Sequence, residues 1–408
     1  MYLIQIIQLL NFRKMLPSSV TEILSAYEKI LNLPEDKAEE IGRTIPIPHF
    51  DSSVILDLCR CTMSVFQSKD TLVETISPIY ILGDIHGNLF DLLRILIYIK
   101  SPPKSRILFL GDYVDRGQFS IEVITLLFAL QCAFPDHIVM LRGNHEFDSV
   151  NQVYGFYEEV STQIGNDVFW NEINRVFQWM PIAAVVSGKI FCVHGGLSPS
   201  MNNPNQLSNL KRPISHYEDD IIGDVLWSDP TATDKDYIRS TRGSGVAFGP
   251  SSVVKFLTEA KLEHIVRGHQ CVPLGILKFA GDSLYTVFSS SNYEDYGANR
   301  AGLMFVNGND EIQVFSLPPL TIPKREDTFF SNCNEEEERM KAEQKVEKRC
   351  IALNVKHAEL LIENKSQKCL PVITQRRALM NMGRSLSYDI LRSKSSTTKL
   401  PSLHPIYK

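Results

Sequence analysis

Five short apolar runs in this sequence are each followed by a glycine-containing segment that carries Asp, Asn or His. The segments are GDIHGN (83–88), GDYVDRG (111–117), RGNHE (142–146), HGG (194–196) and GHQ (268–270). Carboxylate, amide and imidazole donors of this kind suit divalent Mn, Fe or Zn, and they do not form a thiolate site. The candidate ligands are Asp84, His86, Asp112, Asn144, His194 and His269, with His145 beside them. These are too many for one metal with an open position, so we expect two metals about 3.5–4 Å apart, with Asp112 as the bridge.

The elements that would position these donors follow from the hydrophobic pattern. Buried strands are predicted at 79–82, 107–110, 138–141, 189–193 and 265–267. Helices are predicted at 89–99 and 121–130. Alternation of strands and helices favours an α/β sheet core. Ligands bind outside the carboxyl ends of the strands in such sheets, so the five segments are expected to meet at one site.

Any one of these segments has an ordinary structural explanation. A Gly-Asp pair after a strand is more often a turn than a ligand, and a lone histidine is more often a core or surface residue. Five coincidences at five strand ends are much harder to explain in this way. The set as a whole therefore predicts a metal centre.

Composition excludes several classes of protein. The chain has 408 residues, 44% of them hydrophobic and 22% charged, which excludes a disordered, collagenous or disulfide-rich class. The net charge of −5 provides no general case for nucleic-acid binding. No run of 18 apolar residues predicts a membrane span. Eight scattered cysteines without a C-x-x-C pair favour free thiols in the cytoplasm or nucleus, and the first positive charges follow the apolar opening, which is the wrong order for a secretory signal.

Three regions are predicted along the chain. Residues 1–44 form an N-terminal helical extension, residues 45–320 the catalytic domain, and residues 321–408 a charged tail, helical at first and then disordered and basic. Residues 366–408 carry a charge of +7, so residues 1–365 carry −12, since the whole carries −5. A passive tail is the favoured interpretation, and a strip that docks on acidic partners or on the body of the protein is the alternative.

Together these motifs resemble the signature of the phosphoprotein phosphatase superfamily of serine/threonine phosphatases. HGGLSP (194–199), LWSDP (226–230), RGHQ (267–270) and SNY (291–293) follow in the order of that family. The similarity extends over residues 45–320 and is closest to the type 1 and type 2A catalytic subunits. It implies a central β-sandwich of two mixed sheets flanked by helices, with the metals at one edge.

The resemblance also implies roles for single residues. Asp84 and His86 would bind one metal, Asp112 would bridge, and Asn144, His194 and His269 would bind the second. A bridging hydroxide would attack phosphorus in line, and His145, oriented by Asp115, would protonate the leaving oxygen. The phosphoryl group would be held by Arg116, Asn144, Arg242 and Tyr293. The implied cofactors are two divalent metals, with Mn expected in vitro, and the implied partners are phosphoprotein substrates and regulatory or targeting subunits.

The sequence departs from that family in the rim loop 289–297. Ser291 stands where type 1 and type 2A enzymes carry proline, and Glu294 stands where they carry cysteine. Substrate preference is therefore not predicted. Two alternative functions are kept: a metallophosphoesterase acting on dinucleoside polyphosphates or other phosphoesters, and an inactive scaffold that binds partners through its tail.

Overall fold

β-Branched and other apolar runs form the strands of the computed structural model, which describes residues 16–217, 220–294 and 297–332. The strands are β1 Ile47–His49, β2 Leu72–Thr75, β3 Ile79–Leu82, β4 Ile107–Phe109, β5 Ile138–Met140, β6 Ala183–Val186, β7 Ile190–Val193, β8 Asp229–Pro230, β9 Tyr237–Arg239, β10 Val246–Phe248, β11 His264–Arg267, β12 Ile276–Phe279, β13 Leu284–Val287, β14 Ala301–Val306, β15 Ile312–Leu317 and β16 Phe330–Asn332. Each of the five strands predicted to lead into a donor segment is present, with bounds shifted by one residue at most.

Most of these strands belong to two mixed sheets. One sheet has six strands in the order β12-β13-β11-β7-β6-β2, and the other has five in the order β15-β14-β3-β4-β5. Strands β7, β11 and β13 are parallel neighbours in the first sheet, as are β3, β4 and β5 in the second. The carboxyl ends of each parallel set therefore meet at one edge of their sheet. Two smaller sheets, β8-β10-β9 and β1-β16, complete the pairing.

The two large sheets share one apolar core. Ile81 and Leu108 of the five-stranded sheet lie in the same buried cluster as Cys192, Val266 and Val287 of the six-stranded sheet. This packing makes a β-sandwich and confirms the fold class implied by the motifs. The alternation of strands and helices along β3, β4 and β5 indicated the five-stranded sheet, but it did not indicate that the later strands form a second, six-stranded sheet.

Helices cover the outer faces of the sandwich. The α-helices are α1 Ser18–Leu31, α2 Ser52–Gln67, α3 Leu89–Ile99, α4 Ser120–Ala133, α5 Asp148–Asn151, α6 Phe156–Gln163, α7 Asp167–Phe177, α8 Asp220–Trp227 and α9 Pro250–Ala260. Short 3₁₀ helices lie at Glu35–Glu40, Asn144–Glu146, Pro204–Asn209 and Arg325–Asp327. The predicted helix 89–99 has the predicted bounds, and Asn88 caps it by accepting a hydrogen bond from the Asp91 amide at 3.0 Å. Helix α4 is longer than predicted at both ends.

The described residues after 320, which end at residue 332, pack on the body of the protein. Arg325 donates to both oxygens of the buried Glu122 side chain in α4, at 2.8 and 2.7 Å. Glu159 of α6 accepts from the Ser120 and Ile121 amides at the start of α4. One compact unit includes the described chain as far as Ser331. The three predicted domain ranges remain predictions.

Some predictions fall outside the described residues. They concern the apolar opening of the chain, the charged helix predicted from residue 334, and the basic strip at 366–408. Within the part of the chain that the structure describes, no helix is long and apolar enough to cross a membrane.

Candidate active site

The carboxyl ends of β3, β4, β5, β7 and β11 meet at one edge of the sandwich and bring the six predicted ligands together. Asp112 lies at the centre of the group. Its Oδ2 atom is 3.5 Å from Nε2 of His86 and 3.3 Å from Nε2 of His194. The predicted bridging position of Asp112 agrees with this placement between two sets of donors.

Within each of the two donor sets, each polar atom lies less than 4 Å from another of the same set. On one side, Asp84 Oδ2 is 3.8 Å from His86 Nε2. On the other side, His194 Nε2 is 2.8 Å from Asn144 Oδ1 and 3.1 Å from His269 Nδ1. All of these side chains are buried, so their polar atoms face one another with little access to water.

Backbone carbonyls set the orientation of two of the histidines. Nδ1 of His86 lies 2.9 Å from the Val114 carbonyl, and Nδ1 of His194 lies 3.0 Å from the Leu110 carbonyl. A carbonyl only accepts, so each Nδ1 carries the proton and donates it. Nε2 of each ring then faces Asp112, as in histidines that bind metals through one nitrogen and hydrogen-bond through the other.

The charge states of this group fit a cation. Burial, with the nearby His145, lowers the pKa of His86 to about 3, so its Nε2 presents a lone pair at neutral pH. That lone pair faces the Asp84 and Asp112 carboxylates, and Asp84 Oδ2 is buried with no hydrogen-bond partner among the described residues. Acceptors facing acceptors without a donor are unfavourable, and a divalent cation would remove the conflict.

The two aspartates titrate differently. Burial and then the charge of Asp112 raise the pKa of Asp84 to about 6. Burial would also raise the pKa of Asp112, but His194 and His145 outweigh it and hold that pKa well below its ordinary value. Asp112 is therefore the carboxylate that stays ionised in the middle of the site.

His145 is held by a second aspartate. Its Nδ1 is 2.6 Å from Asp115 Oδ2, and the other oxygen of Asp115 accepts from the Phe156 amide at 2.8 Å. Nε2 of His145 lies 4.0 Å from Asp112 Oδ2, so by distance alone this ring would also be within reach of the first metal group. Its Nδ1 contact to a buried carboxylate is compatible with a proton donor and its orienting group, and these two roles remain predictions.

Glu146 holds the turn that carries Asp112, a role that the sequence analysis missed. Its Oε2 accepts from the Asp112 and Gly143 amides at 2.8 and 2.9 Å, and its Oε1 accepts from the Tyr113 amide at 2.8 Å. The side chain is fully buried. The sequence did contain a signal for this role: Glu146 lies between a predicted donor segment and the apolar Phe147, and an acidic side chain buried at such a position needs hydrogen-bond donors.

The backbone at several site residues is left-handed. The φ angles are 46° at His86, 55° at Asp112, 72° at Asp115, 69° at Arg116 and 65° at His269. Side chains other than glycine adopt this conformation at a cost of order 1–3 kcal/mol each, and such residues concentrate at functional sites. All five residues lie in the segments that follow β3, β4 and β11, at the edge where the donors meet.

Glycines beside the donors serve close approach more than tight turns. A Cβ at Gly143 would lie 2.2 Å from Asp112 Oδ1, and a Cβ at Gly268 would lie 2.4 Å from Asp84 Oδ1. Neither glycine has a positive φ. Both positions therefore require glycine because a side chain would collide with the neighbouring carboxylate, and not because the backbone makes a left-handed turn.

Arg116 lies at the opening of the cavity, where its guanidinium contacts Glu294 and the ring of Tyr154. Its Nη1 donates to Glu294 Oε1 at 2.9 Å, and its guanidinium lies 4.4 Å from the centre of the Tyr154 ring. The backbone amide of Arg116 donates to the Tyr154 carbonyl at 3.1 Å. The predicted phosphate-binding arginine is thus positioned by Tyr154 and neutralised by Glu294.

Arg242 is positioned by Asp229, a residue to which the sequence analysis assigned no role. Nε of Arg242 donates to Asp229 Oδ2 at 2.5 Å, and the other oxygen of Asp229 accepts from the buried Arg267 at 2.9 Å. Nη2 of Arg242 lies 3.4 Å from the His269 carbonyl. Asp229 therefore fixes the Nε edge of Arg242, and the guanidinium lines the same cavity as the metal donors.

Tyr293 closes the other side of the cavity. Its ring stacks on the His86 ring with 5.2 Å between centroids. Ser291, the residue found where proline was expected, accepts from the Leu320 amide through its hydroxyl at 3.0 Å. The substitution therefore ties the rim loop to the chain that leaves β15.

The cavity formed by these groups has a volume of about 190 Å³. Its lining includes most of the predicted site residues, namely Asp84, His86, Asp112, Arg116, Asn144, His145, Arg242, His269 and Tyr293. Asp115 and His194 are fully buried and do not line the cavity; Asp115 contacts His145, and His194 contacts Asn144 and His269. Fold and donor geometry together define a metallophosphoesterase.

Comparison with known proteins agrees with this class. Residues 77–273 match the family of calcineurin-like phosphoesterases. Serine/threonine-protein phosphatase BSL2 of Arabidopsis thaliana is 40% identical over 308 residues, covering 70% of this chain and 30% of BSL2. This chain thus spans less than a third of the length of that curated relative. This chain contains a calcineurin-like metallophosphoesterase domain.

A solved structure supports the same conclusion. A protein serine/threonine phosphatase from Saccharomyces cerevisiae, described as similar to human phosphatase PP5, matches with a TM-score of 0.63 and 29% identity. The match covers 67% of this chain and 91% of the yeast chain. The family resemblance inferred from the motifs is confirmed.

Proposed function

We propose that this protein is a phosphatase that hydrolyses phosphoserine and phosphothreonine in proteins. The observation that carries the proposal is a single cavity lined by the metal donors, by His145 and by two arginines. Metal donors, a proton donor and phosphate-binding cations are the components that phosphoester hydrolysis needs. The two relatives with serine/threonine phosphatase in their names support this choice of substrate class.

The donor sets would hold two divalent cations. The residues that would hold them are Asp84, His86, Asp112, Asn144, His194 and His269, with Asp112 shared. The mixture of oxygen and imidazole donors suits Mn, Fe or Zn, and we expect Mn to support activity in vitro. When bound, such cations lower the pKa of water and so supply hydroxide at neutral pH.

The arginines would hold the phosphoryl oxygens. Arg242 has its Nε on Asp229 and its Nη2 near the His269 carbonyl, which leaves Nη1 to donate to the phosphate. Arg116 would donate to the phosphate after it releases Glu294. Charge-assisted bonds from a planar guanidinium suit a tetrahedral phosphate because two N–H groups can donate to two oxygens. Asn144 and Tyr293 complete the wall around the group.

His145 would protonate the departing oxygen of serine or threonine. Its Nδ1–H donates to Asp115, which leaves Nε2–H directed at the cavity. As the P–O ester bond breaks, the Nε2 proton moves to the leaving alkoxide, and the neutral ring remains hydrogen-bonded to Asp115. Alkoxides are poor leaving groups, so this proton transfer is expected to contribute about 10²–10⁴-fold to the rate.

The first experiment measures phosphate release from matched phosphoserine, phosphothreonine and phosphotyrosine peptides, with and without Mn²⁺. Mn²⁺-dependent cleavage of the first two peptides is the expected result. Cleavage of dinucleoside polyphosphates alone would replace the proposal with the second metallophosphoesterase function. If no substrate is cleaved by protein that has two metals bound, the inactive-scaffold function would be favoured.

We further propose that regulatory or targeting subunits direct this activity and that the protein works in the cytoplasm or nucleus. The free thiols of the described cysteines suit a reducing compartment. The cavity of about 190 Å³ holds little more than a phosphoresidue, so recognition of a whole protein substrate would depend on surfaces that a second subunit can supply. Imaging of a tagged protein and isolation of its complexes test both points.

A further inference from the structure

The ion pair between Arg116 and Glu294 separates two cavities. The side chains of Arg116 and Glu294 are 30% and 37% exposed, so the pair is neither buried nor fully solvated. Both residues line the catalytic cavity of about 190 Å³ and an adjoining groove of about 310 Å³. Glu294 therefore borders both the cavity that holds the metal donors and the groove beside it.

The groove is large enough for side chains that flank a phosphoresidue. Its lining includes Gln118, Asn292 of the rim loop, Pro323 and Lys324. Lys324 is paired with Glu326 at 3.5 Å, and both of these side chains are more than 70% exposed. Among the described residues that line the groove, Glu294 is the one with an acidic side chain.

We propose that Glu294 is a specificity-determining residue that competes with substrate phosphate for Arg116 and favours phosphosites with an adjacent cationic side chain. This inference rests on the proposed phosphatase function. It goes further by assigning a preferred class of phosphosite to this enzyme through Glu294, a charged residue of the rim loop.

The competition follows from the geometry of the pair. Nη1 of Arg116 donates to Glu294 Oε1 at 2.9 Å, so a phosphate that takes this donor must displace the carboxylate. The displaced carboxylate would then lie beside a phosphate dianion, and like charges at close range repel. Substrate binding is therefore weakened by Glu294 unless another cation arrives.

A lysine or arginine next to the phosphoresidue would supply that cation. The flanking residue would enter the groove, where the released Glu294 carboxylate can pair with it. Lys324 cannot serve equally well, because it is already paired with Glu326. The exchange of one ion pair for another would favour basic phosphosites over neutral ones.

Phosphate binding tests the competition without turnover. Calorimetric titration of the Mn²⁺-loaded protein with inorganic phosphate is expected to show affinity about five- to tenfold tighter in Glu294→Gln than in the wild type. Glu326→Gln, which removes a neighbouring exposed carboxylate, is the matched control and should change affinity less than twofold. In an Arg116→Met background the effect of Glu294→Gln should disappear, because the two residues act on one interaction. Unchanged affinity in Glu294→Gln, or a gain that persists in Arg116→Met, would overturn the proposal.

Peptide kinetics test the substrate class. Wild-type kcat/KM is expected to be several-fold higher for a phosphoserine peptide with an adjacent arginine than for its alanine counterpart. Glu294→Gln should remove this preference, mainly by lowering KM for the alanine peptide. An equal preference in both proteins would refute the role in specificity. If neither protein cleaves any peptide, the proposed function fails, whereas the phosphate titration still decides whether Glu294 competes for Arg116.

Discussion

Asp115→Asn is the substitution that most directly tests the role of His145. Asparagine has nearly the same size as aspartate, and its carbonyl can still accept from the Phe156 amide, as Asp115 does at 2.8 Å. Its NH₂ group would then face Nδ1 of His145, where a carboxylate oxygen now lies at 2.6 Å. The ring would have to accept at Nδ1, so it could no longer be a doubly protonated imidazolium.

The expected loss follows from the lost proton donor. A neutral imidazole is a far weaker acid than imidazolium, and general acid catalysis contributes about 10²–10⁴-fold. We expect kcat on a phosphoserine peptide to fall about 100- to 1,000-fold, which corresponds to about 3–4 kcal/mol of transition-state stabilisation. KM should change little, because Asp115 lies behind the ring and outside the cavity lining.

The leaving group separates this mechanism from a structural effect. Nitrophenolate departs without protonation, so Asp115→Asn should lower kcat on p-nitrophenyl phosphate less than about tenfold. Metal content should remain two ions per chain. Asp167→Asn, at an exposed acid that accepts from the Tyr157 hydroxyl, is the control for loss of a carboxylate. Equal losses on the two substrates would refute the assignment of His145 as the proton donor.

Three further predictions concern metal binding and stability. His145→Ala should lower turnover on phosphoserine peptides while metal analysis still finds two ions, and metal loss in this variant would show that His145 is a ligand. Asp112→Ala should lose metal and activity together, as measured on the same samples, because both donor sets share this residue. Burial and then Glu122 raise the pKa of Glu159 to about 7, so the folded protein holds a proton that the unfolded chain has released. The free energy of unfolding should therefore fall as pH rises from about 5 to 8 in urea titrations, and Glu159→Gln should flatten that slope.

The site could be predicted from the sequence to the extent that it depends on strand ends. Asp84, Asp112 and Asn144 follow β3, β4 and β5, while His194 and His269 follow β7 and β11. The end of an apolar run indicates where such a strand ends, and the residues that follow it must lie at the edge of the sheet. The donors could therefore be named without knowledge of which sheet each strand joins.

Contacts between distant segments could not be predicted in the same way. Asp229 pairs with Arg242 and Arg267, and Glu294 pairs with Arg116 across 178 positions of sequence. No local pattern encodes these pairs, because they depend on how the rim loop and the β8–β10 region fold over the edge. The six-stranded sheet escaped the periodicity argument for the same reason, since it pairs β2 with β6 and β7 with β11, strands that lie far apart in the sequence.

The left-handed turn after β4 shows how the site is stabilised. Asp112, Asp115 and Arg116 all have positive φ within five residues, which at 1–3 kcal/mol each is a considerable local strain. Glu146 offsets it by accepting three backbone amides around Asp112 and Gly143, and Asp115 offsets it by accepting the Phe156 amide. Glu146 and Asp115 are themselves buried, and a buried carboxylate is costly unless it is hydrogen-bonded. Their burial is therefore tolerated only while these backbone amides donate to them. The same hydrogen bonds therefore both hold the turn in its strained form and fix Asp112 between the two donor sets.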